Sequence, residues 1–171
     1  MNIKYNLTEE DFLHFNLFHL QNSKTAKKSL MLQRFVSPIF FIGFSYVFSN
    51  LLDVPFLGLF IPFLTISILW VIFYPKYFYN HITRNVKKMI KEGKNEGLLG
   101  KHDLTFNEDG FTEETSSGET KVKWAGINEF KEDKEFFYLY NSSVSAYIIP
   151  KRDVANEGEL RNLINSKLQQ S

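Results

Sequence analysis

Between Arg34 and Lys76 the chain carries a single acidic or basic residue, Asp53, and this stretch constrains the fold more than any other feature. Asp53 sits almost midway, in Leu52-Asp53-Val54-Pro55, and divides the stretch into Phe35–Leu52 and Pro55–Phe73. Each half is roughly 18 to 20 residues, about the length an α-helix needs to cross a ~30 Å hydrocarbon core. The spacing predicts two transmembrane helices joined by a short turn, with Asp53 placed to cap the second helix and Pro55 suited to its first positions. A buried hairpin in a soluble protein is the alternative, and it is rejected because buried helices rarely avoid charge for so long. Pro38 and Pro62 are tolerable inside membrane helices, where neighbouring groups satisfy the freed carbonyls, and Pro62 is placed to kink its helix.

The flanks set the orientation. Lys24, Lys27, Lys28 and Arg34 precede the first span, Lys76, Arg84, Lys87, Lys88 and Lys91 follow the second, and the turn between has no basic residue. Both termini are therefore expected on the cytoplasmic side of a cell membrane, in a multi-pass chain whose first partner is the lipid bilayer. Trp70, Tyr74, Tyr77 and Tyr79 cluster where amphipathic rings sit at headgroup level. No cleavable signal peptide is expected, because the first apolar run begins only near Phe35, behind a charged helix-like segment. The formal net charge of +1 favours no partner, and the absence of Cys removes disulfides, thiolate metal sites and cysteine nucleophiles.

Residues 1–34 read as a strand and an amphipathic helix. Ile3, Tyr5 and Leu7 alternate with polar neighbours at a period of two, and Thr8 followed by Glu9, Glu10 and Asp11 is a helix start with acids at the positive end of the dipole. The helix is expected to run through Phe12, Phe15 and His19 toward Lys28. Its broad apolar face, with Leu13, Leu17, Phe18 and Leu20, suits either a membrane surface or the cytoplasmic domain, and protein packing is preferred. His14 and His19 are five apart and do not share a face, so no metal site is expected there. After residues 35–74, the hairpin, residues 75–100 form a basic juxtamembrane helix and linker, with Val86, Met89 and Ile90 at helical spacing and Gly93 as terminator.

Residues 101–171 change grammar. Short alternating runs at 104–106, 111–115, 120–124, 127–131, 136–140 and 146–149 are separated by turn signals such as Asn107-Glu108-Asp109-Gly110 and Ser116-Ser117-Gly118. Six antiparallel strands follow from this pattern, then a terminal helix with Val154, Leu160, Leu163, Ile164 and Leu168 on one face. Because the hairpin returns the chain to the same membrane face, Ile3–Leu7 is free to add a seventh strand and cover a sheet edge.

In the order of its motifs around two spans the chain resembles the YcxB-like proteins. The resemblance rests on Leu7-Thr8-Glu9-Glu10-Asp11-Phe12, the hairpin, Leu98-Leu99-Gly100, Asp109-Gly110-Phe111, Trp124-Ala125-Gly126-Ile127 and Ile148-Ile149-Pro150-Lys151-Arg152. It implies an α+β membrane protein: a two-helix hairpin carrying a cytoplasmic pleckstrin-homology-like (PH-like) antiparallel β-sandwich or barrel closed by a C-terminal helix, as in related bacterial domains. It brings no catalytic residue with it. A membrane-anchored recognition or scaffold module, binding a lipid headgroup, a peptide or a partner protein, is the function that fold analogy suggests.

No metal-binding His motif, nucleophile elbow, phosphate loop or dinucleotide fingerprint occurs, so neither enzyme activity nor a cofactor is expected. His81 reads as an interfacial side chain, and Glu108, Asp109, Glu113 and Glu114 as solvated turn residues rather than a tuned acid pair. Lys121, Lys123, Lys151 and Arg152 are the candidate ligand-binding patch for anionic lipid or an acidic peptide; the alternative is an ordinary strand surface and turn. Trp124 reads as core. Glu129, Glu132, Asp133 and Glu135 dilute the positive charge and disfavour nucleic acid. A second functional reading, of a different class, is an accessory subunit of a membrane enzyme or transporter complex, although the spans lack the buried charges of a proton path.

Overall fold

A computed structural model describes residues 1–92 and 97–169, and it is α+β. The chain divides into two compact units, Met1–Asn16 with Met89–Ser171, and Leu17–Lys88.

The first unit is built on two antiparallel sheets. Strands β1 (Asn2–Leu7), β2 (Gly100–Phe106), β3 (Gly110–Thr115) and β4 (Gly118–Lys123) form one in the order β1-β2-β3-β4. The other is β5 (Glu129–Glu132), β6 (Phe136–Tyr140) and β7 (Ala146–Pro150), in the order β5-β6-β7. The six strands expected beyond residue 100 are present, and the N-terminal run joins them: Ile3 pairs with Leu104 and Tyr5 with His102. Strict alternation in β1 buries Ile3, Tyr5 and Leu7 and leaves Asn2, Lys4 and Asn6 outside. One expectation is corrected. Neither sheet closes on itself, so the barrel form of the predicted fold is absent among the described residues. After β4 the chain leaves its ladder through a 3-10 turn at Trp124–Gly126, which buries Trp124 against Phe106 and Phe111 and starts the second sheet.

The core lies where both sheets turn their apolar faces inward. β6 is buried at every position, Phe136 to Tyr140, and Phe111 of β3 meets Tyr147 of β7 edge-on at 4.9 Å between ring centroids. Helix α4 (Glu157–Leu168) is capped by Asn156, whose side chain accepts from the Glu159 amide, and buries Leu160 and Ile164. Helix α1 (Glu9–Asn22) begins with a reciprocal box, the Asp11 amide donating to the Thr8 hydroxyl and the Thr8 amide to the Asp11 carboxylate. Its residues Phe12 and Phe15 are buried, with Phe15 at 5.6 Å from Tyr138. At this end of α1 the apolar face therefore meets the second sheet.

α1 stops at Asn22, short of the expected Lys28, because the Ser23 hydroxyl accepts from the Ala26 amide and starts a new helix. That helix, α2 (Lys24–Leu52), and α3 (Phe56–Glu92) are both long and apolar enough to cross a membrane. The juxtamembrane segment is not a separate element: α3 continues through Pro62 and Pro75 to Glu92, and Gly93, expected to end it, lies outside the described residues. Asp53 caps the end of α2 rather than the start of α3. It takes the left-handed conformation, φ 53°, and its amide donates to the Ser49 carbonyl.

Prolines shape the contact between these helices. Pro75 has no N–H to give the carbonyl of Val71, four residues earlier. The Arg34 Nε donates to that carbonyl instead, at 2.9 Å. Trp70 donates to the Gln33 carbonyl at 3.2 Å, Tyr74 bonds the Gln33 side chain, and Phe41 meets Trp70 edge-on at 5.8 Å. Ser45 and Ser67 are buried and donate to carbonyls of their own helices, while large apolar side chains such as Ile39, Phe40, Leu57 and Phe73 point outward. This is the inverse of a soluble helix pair.

Candidate functional site

The structure does not assemble the four-residue basic patch. Lys121 and Lys123 lie on β4, at one edge of the four-stranded sheet, whereas Lys151 and Arg152 open a 3-10 turn, Lys151–Asp153, that lies against β1 at the other edge. Three strand spacings separate those edges, about 14 Å. Lys121 is exposed and pairs with Glu119 at 3.1 Å.

Lys151 and Arg152 are committed to internal contacts. Only 10% of the Lys151 side chain is exposed; its ammonium donates to Glu132 at 2.7 Å and to the Asp133 carbonyl at 2.6 Å, over the ring of Phe137. Arg161 of α4 completes the cluster, its guanidinium forked onto Glu132 at 2.6 and 2.8 Å. The Arg161 hydrogen bond, with Lys151 adding to it against the opposing effect of burial, holds the Glu132 carboxyl down at about 2. Arg152 reaches back to the N-terminal segment and grips Asp11 at 2.8 and 2.6 Å, with a further bond to the Asn6 carbonyl. Burial pushes the Asp11 carboxyl up, but hydrogen bonds from Arg152 and Thr8 outweigh it and keep the group below its ordinary value.

A second tie joins α1 to the turn before β6. Asp133 accepts from the amides of Glu135 and Phe136 and from the Tyr138 hydroxyl at 2.7 Å, and it lies 2.8 Å from Nε2 of His14. Burial raises the Asp133 carboxyl, and those donors more than reverse it. The Tyr138 hydroxyl is pushed well up, by burial first and by Asp133 second. In the sequence Glu132 and Asp133 stood only among the acids that dilute the positive charge. The signal that could have singled out Asp11 was its place in the Thr8-x-x-Asp11 box.

An open groove of about 710 Å³ runs across β1, β2 and β3. Lys4, Asn6, Lys101, Asp103, Glu114 and Ser116 are among its walls. Strand alternation puts Lys4, Asn6, Lys101, Asp103 and Glu114 on the outer face of the sheet, and Asp153 also lines the groove. Lys4 and Asp103 form an ion pair at 2.9 Å, which lowers the Asp103 carboxyl and raises the Lys4 amine. Beneath it, on the inner face, His102 stacks on Tyr5 at 5.0 Å with an interplanar angle of 3°, and Nδ1 meets Glu113 at 2.9 Å. Nε2 of this buried ring has no hydrogen-bond partner among the described residues. No group of three metal-ligating side chains occurs among the described residues.

Residues 106–164 match the family model described as YcxB-like protein. That part of the chain is similar to the YcxB-like family. The matched region runs from the last residue of β2 through β3–β7 to Ile164 in α4, so it contains Glu132, Asp133, Lys151, Arg152 and Arg161. β1, α1 and both apolar helices lie outside it. No curated protein and no solved structure matches the chain.

Proposed function

We propose that the protein is a membrane-anchored recognition or scaffold module in which α2 and α3 cross a cell membrane with both termini cytoplasmic. The PH-like sandwich presents the β1–β3 groove to a protein partner. The groove itself carries this reading. It is an open depression walled by charged and polar residues, on a folded unit in a chain that carries two helices of spanning length. The clustering of basic residues in the first turns of α2 (Lys24, Lys27, Lys28 and Arg34) and in the C-terminal part of α3, with none at the Asp53 turn, supports the orientation.

Charge selects among ligand classes. Lys4 and Lys101 face Asp103, Glu114 and Asp153 around the groove, two cations against three carboxylates. An anionic lipid headgroup gains little from such a surface; a polar peptide segment with charges of both signs is complementary to it. The alternative surface, Lys121 with Lys123, lacks the Lys151 and Arg152 charges that would make it a headgroup site.

A photo-crosslinking residue placed at Ser116 in the full chain, in its native membrane, is expected to capture a defined protein, and one placed at Lys131 on β5 is not. Capture of lipid alone from position 116, or the same products from both positions, would overturn the reading. Reporters fused at either terminus are expected to act as cytosolic. A signal from the far side of the membrane would overturn the topology.

A further inference from the structure

β4 stands at the end of its sheet and pairs on one side only, with β3. The Trp124 amide donates to the Asp109 carbonyl at 3.1 Å, one step beyond the Gly110–Lys123 pair. Hydrogen-bonded pairs alternate along an antiparallel ladder. Phe111 with Val122, Glu113 with Thr120, and Thr115 with Gly118 are therefore the pairs that exchange bonds with β3. The N–H and C=O groups of Glu119, Lys121 and Lys123 point the other way, to the open edge. Every side chain of β4 is exposed except Val122, which is half-buried, so nothing among the described residues of the unit covers this edge.

We propose that β4 is a self-association edge, at which two copies of this chain pair antiparallel about a two-fold axis through Thr120. The charge sequence Glu119, Lys121, Lys123 chooses that axis. Centred on Thr120, the pairing sets Glu119 opposite Lys121 of the partner subunit and Lys121 opposite Glu119 of the partner subunit, with no like charges opposed. Centred on Lys121 it sets Glu119 opposite Lys123 of the partner subunit but brings the two Lys121 side chains together on the axis. Centred on Val122 it opposes Lys121 to Lys123 of the partner subunit, and centred on Glu119 it opposes two glutamates. Lysines ordinarily blunt an edge strand against pairing; here they exclude the slipped registers, and Glu119 permits one.

The backbone agrees with the charges. Glu119 and Lys121 both belong to the outward set, so in this register they meet as hydrogen-bonded pairs and supply about four new main-chain bonds. Thr120 meets its symmetry mate at a non-hydrogen-bonded position, where Cα atoms approach to about 4.5 Å. A two-fold, isologous contact of this kind closes on itself and does not propagate into fibres.

The chain contains no cysteine, so Thr120→Cys places one thiol per copy on the axis, within the Cα separation that a disulfide spans. In the full-length protein, in detergent micelles and again in phosphatidylcholine vesicles, mild oxidation is expected to give a covalent dimer from Thr120→Cys much faster than from Lys121→Cys or Val122→Cys. Adding Glu119→Lys, or Lys121→Glu, to Thr120→Cys is expected to slow the reaction roughly tenfold, as two attractive pairs become repulsive. Adding both together restores it. The Thr120 amide stays bonded to β3 in every variant, and an unchanged proteolytic pattern confirms that each one folds. A monomeric Thr120→Cys chain, cross-linking that ignores the charge reversals, or faster reaction at position 121 would each overturn the proposal.

Discussion

Deleting Met1–Leu7 removes three side chains that the alternation of β1 drives into the core: Ile3, Tyr5 and Leu7 are 3%, 5% and 4% exposed. At about 1.5–3 kcal/mol for each large apolar side chain buried, the loss is roughly 5–9 kcal/mol. It also uncovers the edge of β2 along the whole ladder from Asn2–Thr105 to Leu7–Gly100. A domain holds only about 5–15 kcal/mol of net stability, so the truncated sandwich is expected to unfold or to populate its open form heavily. Point variants grade the effect. Ile3→Ala is expected to cost about 2–5 kcal/mol, whereas Asn6→Ala, one face over, stays within roughly 0.5 kcal/mol. The assay is limited proteolysis between His102 and Ile149, with hydrogen exchange at β2 amides, in the full chain. Equal protection in the Ile3→Ala and Asn6→Ala proteins would refute the assignment of the buried face. Unchanged protease resistance after deletion would refute the structural role of β1.

Arg152→Ala leaves the nearly buried Asp11 carboxylate with only its Thr8 contacts, and is expected to destabilise the α1 docking by about 1–3 kcal/mol, read as faster hydrogen exchange at Phe12 to Phe15. Because the folded-state value of Glu132 is depressed to about 2, its contribution is fully present above the unfolded carboxylate range and is lost as pH falls from about 4.5 through about 2. Glu132→Gln should therefore lower the melting temperature at pH 7 and flatten the fall in stability over that acid window; an unchanged acid limb would count against the cluster. Arg34→Ala should cost roughly 1–2 kcal/mol of helix-pair stability by orphaning the Val71 carbonyl. The cost should shrink in a Pro75→Ala background, where the helix supplies its own donor, and a double-mutant cycle of thermal melts in detergent measures the difference.

Much of the fold is legible from local patterns. The stretch from Phe35 to Phe73, whose single charge is Asp53, gives two helices of spanning length, because hydropathy and length need no partner to be read. The alternation of Ile3, Tyr5 and Leu7 identifies a strand and its buried face, since a period of two settles which side faces inward. Trp124 is core for the same kind of reason: a large aromatic beside a strand end fills space. Local rules erred where two local signals competed. Ser23 breaks the helix expected to reach Lys28, because a capping hydroxyl outweighs continued helical spacing, and Asp53 adopts the left-handed cap of α2 where either helix had a claim on it.

What the sequence alone determined is therefore the set of elements, the apolar hairpin and the inward faces of the strands, all of which follow from spacing along one segment. Which charges remain free was decided only by tertiary structure. Lys151 and Arg152 look like a basic surface pair in sequence, yet one is spent on Glu132 and the other on Asp11, 141 positions away. The open edge of β4 and the groove across β1–β3 have the same origin. Both depend on which strands become neighbours, and neighbourhood between segments distant in sequence is set by how their buried faces pack, a property that no single segment carries.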